Sequence, residues 1–491
     1  MIWIILLLVI PLATALSTWL IRVQRIAEVF HLLSALILFV SGTALLIKVV
    51  FSDNIYLFND YIYIDSLSVL LIFILVTVVL IASVYSIGYI RFDVKQGVLL
   101  VKNIRQFYLW FHIFIFTMIA VMVLNNIALV WVAIELTTLV SALLIAFYRK
   151  AESLEAAWKY LIIGSLGIAF ALFGILFLYA AGLDVLGDTQ TVLNWTVLHD
   201  IAATLDPTWV TIAFVFILIG YGTKAGLAPL HFWLPDAHSE APSPVSALLS
   251  GVLLNTALYG VLRIYLIADI TLGSMINQWL IGFGLLSIGL MVPFIIVQED
   301  IKRMLAYSSV EHIGIITFAV GIGSPVGIYG AMLHMLNHSL VKSVLFMAAG
   351  NINQKFQTKD IFRLTGVLRV MPLTGIVFIV GVLAIAGAPP FNIFLSEFTI
   401  MLAGFQQGHI LLTIFYISFI LLIFAGMTYY MSHMAFGKPE VERSPIKISR
   451  WSKYSLIIPL FFILLLGVYV PEFIEQALEN IIILFEGVHV E

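Results

Sequence analysis

Cysteine is absent from all 491 residues. That absence removes disulfides, thiolate metal sites and cysteine-ligated iron–sulfur clusters from this chain. Charge is scarce as well: Asp, Glu, Lys and Arg make up 10% of the residues, against roughly 25% in soluble domains. No Gly-rich phosphate loop of the P-loop type occurs, so any work has to draw on a partner or an ion gradient. No basic cluster suggests nucleic acid, and a net charge of −3 says little about partners. What is abundant is apolar sequence, 62% of the chain. It falls in long runs, and about 20 apolar residues cross the ~30 Å hydrocarbon core of a bilayer as one helix. The sequence therefore predicts an all-α membrane protein.

About fourteen spans are expected, near residues 2–21, 29–51, 67–90, 107–124, 127–147, 159–181, 209–233, 244–268, 277–297, 303–323, 327–349, 371–396, 411–435 and 453–471. No basic residue precedes the first run; Arg22 and Arg25 follow it, the wrong order for a cleaved signal peptide. If the loops alternate sides with the N-terminus outside, all but four of the 24 basic residues fall inside, from Arg22 to Arg443 and Lys453. The outside loops are acidic, with Asp53, Asp60, Asp65, Asp184, Asp188, Asp200, Asp206, Asp269 and a tail beginning at Glu472. By the positive-inside rule both termini are expected outside. The four exceptions lie within spans. Lys48 and Arg263 sit near outer helix ends, where a long side chain can snorkel to water. Lys224 and Lys342 lie too deep for that.

The stretch GYGTKAGLAPLHFWLPDAHSEAPSPVSALLSGVLLN, residues 220–255, places Lys224 and then Pro229 in the seventh span. A charge at bilayer depth costs ~2.5–3.5 kcal/mol, and an internal proline breaks the helical ladder. Irregular backbone at that depth survives only when buried in protein or lining a watery cavity. The span therefore reads as a broken helix on an ion path. It has an echo: AGLAPLHFWLPD (225–236) matches AGAPPFNIFLSE (386–397), which carries Pro389 and Pro390 in the twelfth span. Paired Pro/Gly-interrupted spans point to a transporter built from structural repeats.

Other ionisable residues fall mid-membrane. Glu135 is the sole charge of the fifth span, and Lys224 is its natural partner. Of the adjacent Glu311 and His312 in the tenth span, at most one faces a path, and His312 titrates closer to neutrality. His334, His338 and Lys342 recur at four-residue intervals in the eleventh span, so they share one helix face. With no HExxH pattern to complete a metal site, that face reads as a proton wire and no metal is expected. Glu397 closes the twelfth span as a candidate exit group. Asp236, His238 and Glu240 follow the seventh span on the inside, as a candidate mouth or a contact with a neighbouring subunit.

The motifs KAGLAPLHFWLPDAHSEAPSPVSALLSGVLLN, HMLNHSLVKSVLFMAAGN and APPFNIFLSEF resemble the antiporter-like subunits of respiratory complex I, Mrp-type Na⁺/H⁺ antiporters and group 4 membrane-bound hydrogenases. The resemblance runs over essentially the whole chain, and SSVEHIGI and VLLN look most like component F of hydrogenase-4 and formate hydrogenlyase-type complexes. It implies fourteen helices with two inverted five-helix repeats, spans 4–8 and 9–13. The chain then divides into helices 1–3 (1–106), a first repeat (107–268), a second repeat (277–435), and helix 14 with a short acidic tail (436–491). It implies a relay through Glu135, Lys224, His312, His338 and Glu397, with Lys342 matching a lysine of some branches. Many relatives carry a lysine on the eighth helix where this chain has Asn255, and an amide takes up no proton.

The expected function is a non-redox, proton-translocating subunit of an ion-pumping oxidoreductase complex, with Na⁺ exchange as a variant. Iron–sulfur clusters, and Ni–Fe or flavin, are expected in partner subunits, with no cofactor in this chain. Two alternatives are a subunit of a stand-alone cation/proton antiporter and a structural scaffold. The expected location is a prokaryotic cytoplasmic membrane.

Overall fold

The computed structural model describes residues 1–187, 191–438 and 447–487. Asp188 and Arg443, used in the charge-by-side reading, and the last residues of the acidic tail lie outside the described residues. The helices in chain order are α1 (Ile2–Leu20), α2 (Gln24–Val50), α3 (Ser66–Lys95), α4 (Val101–Val123), α5 (Ile127–Ile145), α6 (Ala151–Leu186), α7 (Trp195–Asp200), α8 (Pro207–Ala225), α9 (Trp233–Glu240), α10 (Ser243–Leu248) and α11 (Leu254–Leu272). They continue as α12 (Met275–Ile296), α13 (Ile301–Gly321), α14 (Pro325–Phe356), α15 (Val367–Val370), α16 (Pro372–Ile385), α17 (Asn392–Gln406), α18 (Ile410–Phe436), α19 (Arg450–Tyr454), α20 (Ile457–Leu465) and α21 (Glu472–Glu486). A two-stranded antiparallel hairpin, β1 (Ile55–Leu57) with β2 (Ile62–Ile64), precedes α3.

Eleven helical segments among the described residues are long and apolar enough to cross a membrane. The fourteen apolar runs are thus not fourteen uniform rods. α14 has 32 residues, but its histidines and lysines dilute its hydropathy. α16 and α17 are the two halves of the broken twelfth run. The fourteenth run is divided between α19, of five residues, and α20, of nine. The acidic tail is in large part helical: α21 buries Ile474, Ala477, Leu478, Ile481 and Phe485 along one stripe. That spacing is an amphipathic helix laid on the bundle.

Local chemistry starts and stops these helices. Asp65, Asn126, Asp206, Asp300 and Ser324 each accept from backbone N–H groups in the first turn of the helix that follows, satisfying donors the helix cannot pair itself. α8 ends at Gly226 with φ +89°, and α16 is followed by Gly387 with φ +74°. Both need the left-handed conformation glycine allows. Irregular backbone then runs to α9 and to α17. The breaks occupy equal offsets of the echoed sequences, and each holds a cis X–Pro bond, Ala228–Pro229 and Pro389–Pro390.

Loop ends collect on two faces. The ends of α3, α5, α9 and α14 and the start of α13 surround one cavity, with Lys150, Lys302 and Lys359 in its wall; this is the basic face. At the opposite, acidic face, the start of α3 meets the middle of α11 through an ion pair of Asp65 with Arg263, at 2.6 and 2.7 Å. Arg263 therefore does not snorkel. It is buried, donates also to Ser68, and lies over Trp195 at 4.4 Å. Lys48, by contrast, is exposed at the end of α2.

Candidate functional site

Lys224 lies in the last turn of α8, completely buried. Its ammonium donates to Thr138 Oγ1 on α5 at 2.7 Å and to the Tyr160 hydroxyl on α6, and sits 4.4 Å from the Tyr160 ring centre. The expected contact with Glu135 is not made. Glu135 is half-buried one turn before Thr138, and its Oε1 accepts from Ser165 on α6 at 2.7 Å while Oε2 has no partner. A hydroxyl layer of Thr138, Ser141 and Tyr160 stands where an ion pair was expected, with Ser141 and Tyr160 2.7 Å apart. An isolated buried ammonium is costly; here hydroxyl oxygens and an aromatic face stabilise it.

Beyond Lys224 the line turns along α9. Trp233 donates to the Thr223 carbonyl at 2.9 Å and packs its ring against Tyr160. The proposed mouth residues separate here. Asp236 is tied at the surface to Arg303 at 2.9 Å and Lys159 at 3.4 Å. Glu240 pairs with Lys359 at 2.7 Å. Burial raises the Glu240 carboxyl, but the Lys359 ammonium outweighs it and holds the group below its usual range. His238 is not at a surface: it is completely buried, with Nδ1 2.8 Å from the Leu234 carbonyl. A carbonyl only accepts, so Nδ1 carries the hydrogen. Nε2 is then a bare acceptor without a partner.

Asn255 follows a π-helical turn, Leu249–Leu253, that joins α10 to α11. Such wide turns recur at functional sites. Here the turn brings Gly251 onto the backbone of Ser339, where a Cβ would stand 3.0 Å from the Ser339 carbonyl oxygen. The Asn255 amide donates to Ser339 Oγ on α14 at 2.8 Å, and its Oδ1 is buried without a partner. No hydrogen bond among the described residues links Lys224 directly to Asn255.

The second half is denser. His312 on α13 and His334 on α14 share a 2.8 Å hydrogen bond, and His334 continues to Ser396 on α17 at 2.9 Å. The His338 ring stacks 5.2 Å from His312, with both its nitrogens unpartnered. Lys342 donates to the Leu305 carbonyl at 2.7 Å and to Ser308. Glu311 is buried as well, with Oε2 unpartnered. Glu397 is 8% exposed and presses on the break before α17, where a Cβ on Gly387 would lie 2.0 Å from its Oε2. Ligand atoms of His312, His334 and Glu397 lie within 4.8 Å of one another, a convergence the four-residue spacing on α14 alone does not reveal.

The structure thus gathers His312, His334, His338 and Glu397 at one place, and Lys342 shares their helix face. It splits Glu135 from Lys224 and distributes Asp236, His238 and Glu240 over two environments. Sequence reasoning missed Thr138, Tyr160, Ser165, Ser339 and Ser396, which are common residues with no distinguishing local pattern. It also placed Lys302 in a solvated loop, whereas Lys302 is buried and donates to the Ser239 and Ala241 carbonyls at 3.0 and 2.6 Å.

Helices long enough to cross a bilayer, two of the runs broken, and a file of buried titratable groups through the middle define a multi-pass membrane protein of the ion-translocating class. Within that class, the family model for "NADH:quinone oxidoreductase/Mrp antiporter, TM" matches residues 124–423, and the chain belongs to that family. It is 38% identical over 433 residues to a hydrogenase-4 component F homolog of Methylacidiphilum infernorum, covering 87% of this chain and 89% of that one. It is 31% identical over 372 residues to a Na⁺/H⁺ antiporter subunit of Alkalihalophilus pseudofirmus, covering 71% of this chain and 44% of that protein. Its fold superimposes with a TM-score of 0.86 on a chain of the archaeal membrane-bound sulfane sulfur reductase complex, at 24% identity over 99% of both chains.

Proposed function

We propose that this chain is the non-redox, proton-translocating membrane subunit of an ion-pumping oxidoreductase complex of the group 4 hydrogenase or complex I kind. One observation carries the reading: buried polar atoms without partners recur at Glu135, His238, Asn255, His312 and His338. Native interiors pair such atoms, with ordered water where protein supplies no partner. A file of unpaired acceptors between titratable groups is therefore the signature of a hydrated proton path.

In this reading redox work in partner subunits alters the charge beside Glu135 and Lys224. The Thr138–Tyr160 layer lets the ammonium exchange protons without a fixed carboxylate contact. Charge on Lys224 then biases the second half, where protons pass among His338, His312 and His334 toward Glu397. Asn255 transmits as a water-holding amide, not as a proton carrier. Partner subunits hold iron–sulfur clusters and Ni–Fe or flavin. The chain makes fourteen crossings, counting the broken ones, as two inverted five-helix repeats in a prokaryotic cytoplasmic membrane. The basic face looks inward and both termini outward.

The test is Lys224→Ala in membrane vesicles holding the native complex. Proton translocation per electron should fall at least tenfold while native gels show intact assembly. Unchanged stoichiometry would overturn the proposal. The relationship to a Na⁺/H⁺ antiporter component favours a second reading, exchange of Na⁺ for H⁺ in a complex without redox centres. Iron, nickel or flavin co-purifying with the chain decides for the first, and a metal-free and flavin-free assembly that moves Na⁺ decides for the second.

A further inference from the structure

The relay just described has no evident source of protons for its second half, because Asp236 and Glu240 are committed to surface ion pairs. A different carboxyl lies beneath the basic face. A cavity of about 330 Å³ opens among the ends of α3, α5, α9 and α14. That is room for several waters. Polar side chains predominate in its wall, and one of them is Asp93, 6% exposed, in the last turn of α3.

Asp93 has no cation in ion-pair contact among the described residues. Its Oδ1 accepts from Gln354 at 2.8 Å and its Oδ2 from Tyr148 at 2.6 Å. Tyr148 has one hydroxyl hydrogen, committed to Asp93, so its oxygen accepts from the Tyr89 hydroxyl at 3.1 Å. Tyr89 faces Ser243, whose Oγ is buried and makes no completed hydrogen bond. Ser243 Oγ and the Tyr85 hydroxyl converge on Gly350 of α14, each 2.5 Å from where a Cβ would stand, so only glycine leaves the gap between them. Ser243 lies five residues beyond His238 in the chain, and Ser246 of the same short helix α10 donates to the His238 carbonyl at 2.7 Å; His238 Nε2 is buried without a partner. Lys302, in the cavity wall, donates to the Ser239 and Ala241 carbonyls just after His238.

We infer that Asp93 is a proton-loading site, filled from the basic face through this cavity and emptied toward His238 and the second-half relay. A proton from water adds to one Asp93 oxygen. Each hydroxyl of Tyr148, Tyr89 and Ser243 accepts a proton on its oxygen and releases its own, and one proton arrives at His238 Nε2. Asp93 returns to carboxylate, and the net change is one proton moved. The inference rests on the proposed proton-translocating function and deepens it.

The absence of cysteine allows a direct test. Single replacements Asp93→Cys and Gln354→Cys, in the full complex in sealed vesicles of either orientation, are exposed to a membrane-impermeant methanethiosulfonate. Labelling should occur from the basic face only. No labelling from that face, or equal labelling from both, overturns the inlet. In parallel, Asp93→Asn should lower translocation at least tenfold with assembly intact, and Asp93→Glu should retain more than half. If Asp93→Asn pumps normally while Lys224→Ala does not, the inlet is wrong and the relay stands. If Lys224→Ala also pumps normally, the relay itself is wrong.

Discussion

Arg263 and Asp65 make the sharpest energetic prediction, because the sequence offered a cheap alternative for Arg263. Both side chains are buried, and two guanidinium–carboxylate bonds of 2.6 and 2.7 Å join them. Removing one partner of a buried pair leaves the other charged and unpaired, at a cost of about 3–5 kcal/mol. Arg263→Met does this to Asp65 and also removes the bond to Ser68 and the stacking on Trp195. Asp65→Asn does it to Arg263 alone, because Asn caps a helix as well as Asp and spares the bond from the Ser68 N–H. The double variant strands neither charge, so it should cost about as much as one single change, a coupling energy of about 3 kcal/mol. Unfolding in mixed micelles of rising SDS fraction, followed by circular dichroism, measures all three. A loss below ~1 kcal/mol for Arg263→Met, as a snorkelling arginine would give, or strict additivity in the double variant, refutes the buried pair.

Tyr160→Phe keeps the ring beneath Lys224 but removes its hydroxyl acceptor, and translocation should fall several-fold, with a stability loss of about 1–3 kcal/mol in detergent. Asn255→Leu breaks the bond to Ser339 and dries the junction; translocation should drop at least tenfold, and Asn255→Lys should restore a substantial part of it. Gly387→Ala combines a positive φ with a Cβ 2.0 Å from Glu397 Oε2. It should destabilise by at least ~1 kcal/mol and impair translocation, read by melting and by a pH-sensitive dye. The Glu240 carboxyl is held below its usual range, so its pairing with Lys359 stabilises the fold above the unfolded-state value of ~4.3. That contribution is lost as pH falls through the lower folded value. Glu240→Gln should therefore cost about 1 kcal/mol or less at neutral pH, with the difference vanishing in acid.

How much of this was readable in the sequence depends on the range of each interaction. Both helix breaks and the run of histidines on α14 are local patterns of proline and four-residue spacing, and each lies where the sequence pointed; the apolar runs are local patterns too, though eleven helical segments among the described residues are long and apolar enough to cross a membrane. Glu135 and Lys224 were visible for the same reason: each is a lone charge in an apolar run. Their separation was not, because it depends on Tyr160 and Ser165 of a third helix. Arg263 looked interfacial because its partner lies 198 residues away. The last apolar run concealed a division into α19 and α20, since aliphatic composition reports burial in lipid and not continuity of the helix. His238 reads as a loop residue in the sequence HSEAPSP, yet the fold of α9 back into the bundle buries it. Asp93 fell outside the expected third span, which ended at residue 90, whereas α3 continues five residues further, to Lys95, and carries it.

The wide turn at Leu249–Leu253 also affects how this chain can be compared with any other. A π turn closes its ring with i→i+5 bonds where the rest of the helix uses i→i+4. Residue number and angular position therefore run out of step across it by one place. A relative with an uninterrupted α-helix here would present a neighbouring residue, not the numerical equivalent of Asn255, to the groove beside Ser339. Substitutions on this helix are best matched by which side chain touches α14, and a one-residue deletion within the turn would change the groove-facing residue without changing the composition of the helix beyond it.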